Sequence, residues 1–111
     1  MSIDDYKNCI KIAACICAKD GVISSAEEQE MFGALCSRFP DVDQSHFEVA
    51  LVEFFDSDEQ IESYLERISD GELRVFALRL AEVSASADGL DIRENIALEK
   101  AYAFWGVSLD A

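Results

Sequence analysis

The chain is poor in the residues that break helices and in those that most often carry chemistry. Its 111 residues include one proline, five glycines and one histidine. So few breakers leave long segments free to stay helical. With His46 alone, histidine-based metal sites and nucleophile–base pairs have little to draw on. The cysteines are Cys9, Cys15, Cys17 and Cys36, none in C-x-x-C spacing, so they read as small buried hydrophobes. Basic residues are scarce: nine Lys+Arg stand against 23 Asp+Glu, a net charge of −14. Such a surface repels nucleic acid and anionic membranes and draws cations or basic partners.

No run of about 18 apolar residues occurs, so direct membrane insertion is not expected. The start, "MSIDDYKNC", is acidic and lacks the basic and apolar regions of a signal peptide, which makes the cytoplasm the default location. G-x-S-x-G, G-x-x-x-x-G-K-[ST], G-x-G-x-x-G and the E-x-x-H motif of di-iron bundles are all missing. An enzyme is not expected.

What is present is helical periodicity over one domain, residues 1–111. Half the residues are hydrophobic, which argues against disorder. Tyr6, Ile10, Ala13 and Cys17 recur at 4-3-4 spacing on one face of a first helix. Met31, Leu35 and Phe39 stripe a second, which must stop before Pro40. Phe47, Leu51 and Phe54, with Ala50 and Phe55, mark a third, and Ile61, Leu65 and Ile68 a short fourth. A fifth carries Leu73, Phe76, Ala77, Leu80 and Val83. The sixth carries Ala97, Leu98, Ala101, Tyr102, Phe104 and Trp105 and closes at Gly106, with Phe104 and Trp105 assigned to the core. No period-two alternation competes, so the fold class is all-α, a compact bundle of about six helices.

Capping patterns agree with these boundaries. Ser25 to Glu28, Ser57 to Gln60 and Ser69 to Glu72 fit S-x-x-E/Q, and Asp91 to Glu94 is a looser analogue. His46, after "DVDQS", reads as a surface residue at a helix start. Residues 41–66 hold nine acids and no lysine or arginine, most simply a solvated face of the middle helices.

Two segments raise a sharper question. "ICAKDGVISSAEEQE" (16–30) and "SASADGLDIRENIALE" (84–99) each place Asp-Gly after a helix and glutamates before the next. This makes a helix–Asp-Gly–helix pseudo-repeat. Gly21 and Gly89 are explained as left-handed helix stops. The glutamates favour a helix N-terminus by ~0.3–1 kcal/mol. Asp20 and Asp88 fit worse, since an anion at a helix C-terminus is disfavoured by a similar ~0.3–1 kcal/mol. A compensating cation would explain the repeated misfit. The site is not an EF-hand. With Asp20 and Gly21 at loop positions five and six, Ile16 and Ala18 fall at one and three and offer no side-chain oxygen. In the second copy Asn95 replaces the terminal glutamate.

The "AKDG" and "ADG" turns, each leading into a Glu-bearing helix of an all-α chain, resemble the TerB-like family of tellurite-resistance proteins. That family is related to the N-terminal domain of the DjlA co-chaperone. The second copy, "ASADGLDIRENIALEKAYAFWGV", is the closer match; in the first, Lys19 replaces the usual alanine and the glutamates come one residue later. The resemblance implies a helical bundle with an internal pseudo-repeat and an acidic patch for divalent cations. It also implies a role in bacterial stress response through partner proteins. The positions it designates are Asp20, Glu27 and Glu28 from the first motif and Asp88 and Glu94 from the second, with Asp91 nearby.

Two functions are therefore expected. One is a divalent-cation module, with Ca²⁺ favoured because every ligand would be oxygen. The other is a metal-independent adaptor whose acidic face docks a basic protein partner.

Overall fold

The computed structural model describes residues 3–18, 23–57, 61–88 and 92–106. Six α-helices follow in order: α1 (Ile3–Cys17), α2 (Ser25–Arg38), α3 (Gln44–Phe55), α4 (Ile61–Glu66), α5 (Gly71–Ala85) and α6 (Ile92–Trp105). A short 3-10 turn, Ser86–Asp88, continues α5. No strand occurs among the described residues, so the all-α class and the helix count hold. The helix–Asp-Gly–helix order occurs as α1–α2 and again as α5–α6.

The axle of the bundle is α1, which packs against all five other helices and most extensively against α5. Its sequence explains the position. The expected amphipathic stripe is right for the first turns, but every residue from Ile12 to Cys17 is buried. A helix apolar on all sides belongs in the centre of a bundle. Ala13 and Ala14, both fully buried, let neighbouring helices approach closely. Cys9, Cys15 and Cys17 are buried as small hydrophobes; burial pushes the Cys9 thiol up to about 12, with Asp5 adding to the shift. Cys36 is only half-buried, and its thiol donates to Val42 O at 3.7 Å.

Aromatic rings close one end. Phe39, the C-cap of α2, packs 6.3 Å from Tyr6 of α1 and 5.8 Å from Phe76 of α5. The Arg38 guanidinium lies 5.8 Å over the same Phe76 ring. The helix stops there, one residue short of Pro40, as the steric rule requires. Elsewhere, Trp105 Nε1–H donates to Leu65 O at 3.1 Å. Arg74 stacks 5.4 Å from the Trp105 ring while its Nε donates to Ile68 O at 2.7 Å. Together these fasten the end of α6 to the α4–α5 corner. Gly106 then turns left-handed at φ 67°, the conformation that stops a helix with no Cβ penalty.

Three expectations need correction. The caps sit one residue away from the expected ones. At α2 the box is Ser24–Glu27, because that register puts Glu27, Met31 and Leu35 on one buried stripe. At α5 the N-cap is Asp70, whose Oδ1 accepts from Glu72 N–H at 2.9 Å. The Ser57 to Gln60 box falls partly outside the described residues, as do Asp91 and the two glycines Gly21 and Gly89. Second, Phe104, Phe55 and Val83 are exposed rather than core, because each points away from its helix's buried side. Third, two of the acids of 41–66 are paired as well as partly exposed. Glu53 is held by Lys7 and Lys11 of α1, each at 3.0 Å, and Glu62 by Lys100 of α6 at 2.9 Å.

Candidate functional site

The described end of the second segment, as far as the backbone of Asp88, is carried by α5 to the surface of α2. The 3-10 turn Ser86–Asp88 packs on α2, the helix whose first turn carries Glu27 and Glu28. Ser84, fully buried two residues earlier, donates its hydroxyl to Leu80 O at 2.6 Å and so satisfies itself within α5. That leaves the following turn to be placed by helix packing.

The glutamates of the first motif diverge, as neighbours on a helix must. Glu27 is 5% exposed and turns inward. Its Oε1 accepts from Ser24 N–H at 3.0 Å, while its own N–H donates to Ser24 Oγ at 3.1 Å. This is a complete capping box, and it fixes one carboxylate oxygen. Glu28 is half-buried and lines an open cleft with Phe32, Gly33 and, from α3, Gln44.

In the second motif, the backbone of Asp88 ends the 3-10 turn and Glu94 lies in the first turn of α6. The side chains of both, together with Asp20 and Asp91, lie outside the described residues. Among the described residues no group of three or more His, Cys, Asp or Glu is gathered to hold a metal ion. The helix boundaries also change the electrostatic argument. The α-helices end at Cys17 and Ala85, so Asp20 and Asp88 each come three residues later. The macrodipole falls off within the last turn, so it disfavours Asp20 less than a place inside the helix would, whereas Asp88 ends the 3-10 turn that continues α5.

His46 occupies the third position of α3 and is exposed. Its Nδ1 stands 3.3 Å from Asp43 N and 3.0 Å from Asp43 Oδ1. The neutral ring can accept from the backbone, and the protonated ring can donate to the carboxylate. Asp43 Oδ1 also takes His46 N–H at 2.9 Å and the Ser45 hydroxyl at 2.8 Å. These bonds, the His46 N–H foremost, hold its carboxyl below the usual range. His46 is a capping residue of α3.

A second surface was not legible in the sequence. Val49, Val52 and Phe55 of α3 are all exposed, on a helix whose buried side is Phe47, Ala50 and Leu51. The signal lies in the spacing: valines three apart, set between Glu48 and Asp56 and out of phase with the core stripe. No helix among the described residues is long and apolar enough to cross a membrane. The chain matches no protein-family model, no curated protein and no solved structure.

Proposed function

We propose that the chain is a small, non-catalytic acidic module that binds a divalent cation, Ca²⁺ by preference, through its duplicated Asp-Gly…Glu segments. In this reading it serves a TerB-like bacterial stress response by way of protein partners. What supports the reading is the packing of the Ser86–Asp88 turn on α2, whose leading edge carries Glu27 and Glu28. Asp20, Glu27, Glu28, Asp88, Asp91 and Glu94 would supply hard oxygen ligands of the kind Ca²⁺ takes. The ordered start of α2, fixed by the Ser24–Glu27 box, gives that edge a rigid wall. A net charge of −14 supplies the long-range attraction for a cation.

Calorimetric titration of chelator-stripped protein with Ca²⁺, Mg²⁺ and Zn²⁺ tests it. Saturable Ca²⁺ binding is expected, lost in the Asp20→Asn/Asp88→Asn double variant. In this reading the segments share one site, so each single variant should abolish the same binding event rather than half of it. A flat titration at millimolar ion would sink the reading.

A further inference from the structure

Seven large apolar side chains stand exposed among the described residues, and three of them lie on α3. Val49 is 50% exposed, Val52 60% and Phe55 52%, so each offers half its surface or more to solvent. The other four are two on α5, Val75 and Val83, and two on α6, Ile96 and Phe104, each pair eight residues apart. Residues three apart on a helix are neighbours. Val49, Val52 and Phe55 therefore form a continuous strip over two turns, on a helix that buries Phe47 and Ala50 toward α1. Phe55 is held edge-on against Phe54 at 5.2 Å, so one anchor of the strip is already positioned.

The rim of this strip carries one sign of charge. Glu48 and Asp56 are exposed beside the valines, and Asp41 and Asp43 are exposed just ahead of the helix. Residues 41–66 contain no lysine or arginine. The lysines that α1 brings up, Lys7 and Lys11, are both taken by Glu53. An apolar centre with a predominantly acidic rim is complementary to an amphipathic helix that flanks apolar anchors with lysine or arginine.

The geometry points to α3 as a docking face for a basic amphipathic helix of a partner protein, seated on Val49, Val52 and Phe55 and steered by Glu48 and Asp56. A second copy of this chain suits the face poorly, since it would bring like charge against like at −14 per molecule. An anionic lipid surface is repelled for the same reason. The inference stands apart from cation binding, because α3 carries none of the Asp-Gly…Glu residues.

The test uses the full chain and a fluorescent designed peptide of about 18 residues, with leucines at i, i+3, i+4 and i+7 and lysines beside them. Anisotropy should show binding that weakens about tenfold between 50 and 300 mM salt and is unchanged by chelator. Amide shifts should cluster on residues 45–56. Val49→Ser/Val52→Ser changes only exposed side chains, keeps the helical circular dichroism, and should weaken binding about tenfold. Glu48→Lys/Asp56→Lys should flatten the salt dependence. Absence of binding at millimolar peptide overturns the proposal. So does equal binding of a peptide whose leucines are replaced by serine, or shifts confined to other helices. Sedimentation showing a dimer that Val52→Ser dissociates, with no peptide bound, assigns the face to a second copy and overturns it as well.

Discussion

Ser24 and Glu27 satisfy each other across the start of α2, with Ser24 N–H donating to Glu27 Oε1 at 3.0 Å and Glu27 N–H donating to Ser24 Oγ at 3.1 Å. The carboxylate that caps the helix is also one of the cation ligands proposed above. Glutamine also completes a capping box. Glu27→Gln should leave thermal stability within about 0.5 kcal/mol of wild type while lowering Ca²⁺ affinity by about tenfold. Unchanged affinity would assign Glu27 to the cap alone. Ser24→Ala, which removes the acceptor, should cost about 1 kcal/mol in urea unfolding.

Glu53 supplies an acid-sensitive part of the stability. Hydrogen bonds from Lys7 and then Lys11 hold its carboxyl below the ordinary carboxylate range. A group depressed in the folded state contributes stability that is present above its unfolded pKa and lost as pH falls through the folded value. Glu53→Gln should thus be destabilising at pH 7 by about 0.5 kcal/mol, a partly exposed pair being worth little more. The difference from wild type should vanish below pH ~3 and shrink in 1 M salt. A pH-independent difference would mean that packing of the side chain, not its charge, is what matters.

Trp105 is the only tryptophan, and its indole donates to the Leu65 carbonyl. Trp105→Phe keeps an aromatic ring under Arg74 but removes the indole donor, leaving the Leu65 carbonyl with only the Ile68 N–H at 3.3 Å. A loss of about 1–2 kcal/mol is expected by circular dichroism melts. A neutral substitution would show that water readily takes over the carbonyl.

Thiol chemistry should separate the cysteines. Cys36 is half-buried while Cys9, Cys15 and Cys17 are buried, and Cys9 stays protonated far above neutral pH. A colourimetric thiol reagent should titrate Cys36 first in native protein, with the other three appearing only on unfolding. Fast reaction of several thiols would contradict the burial of α1.

The fold was legible because apolar spacing, one proline and one well-placed glycine all agreed. Met31 and Leu35 mark their helix, Pro40 ends it, and Gly106 ends the last. Capping registers were less legible because the chain offers tandem candidates. Ser24 and Ser25 differ only in which residue the cap would bury, and that is decided by packing of α2 on α5. The all-round burial of α1 escaped the periodicity argument because alanine and cysteine are small enough to face any direction. At the candidate site the sequence marks residue types and order, and tertiary packing alone decides that Ser86–Asp88 lies on α2. Exposure of Val49, Val52 and Phe55 was hidden because valine and phenylalanine count as core wherever they stand.

The extensive packing of α1 on α5 joins elements with residues 18–70 between them. Closing so long a loop is an entropic cost met before most of the core exists, and chains rich in distant contacts fold slowly for that reason. Substitutions such as Ile12→Val or Leu78→Ala, on those two helices, should lower the refolding limb of a chevron. Changes on α3 should mainly raise the unfolding limb. The acidic middle of the chain would then join a frame already set by its two flanks.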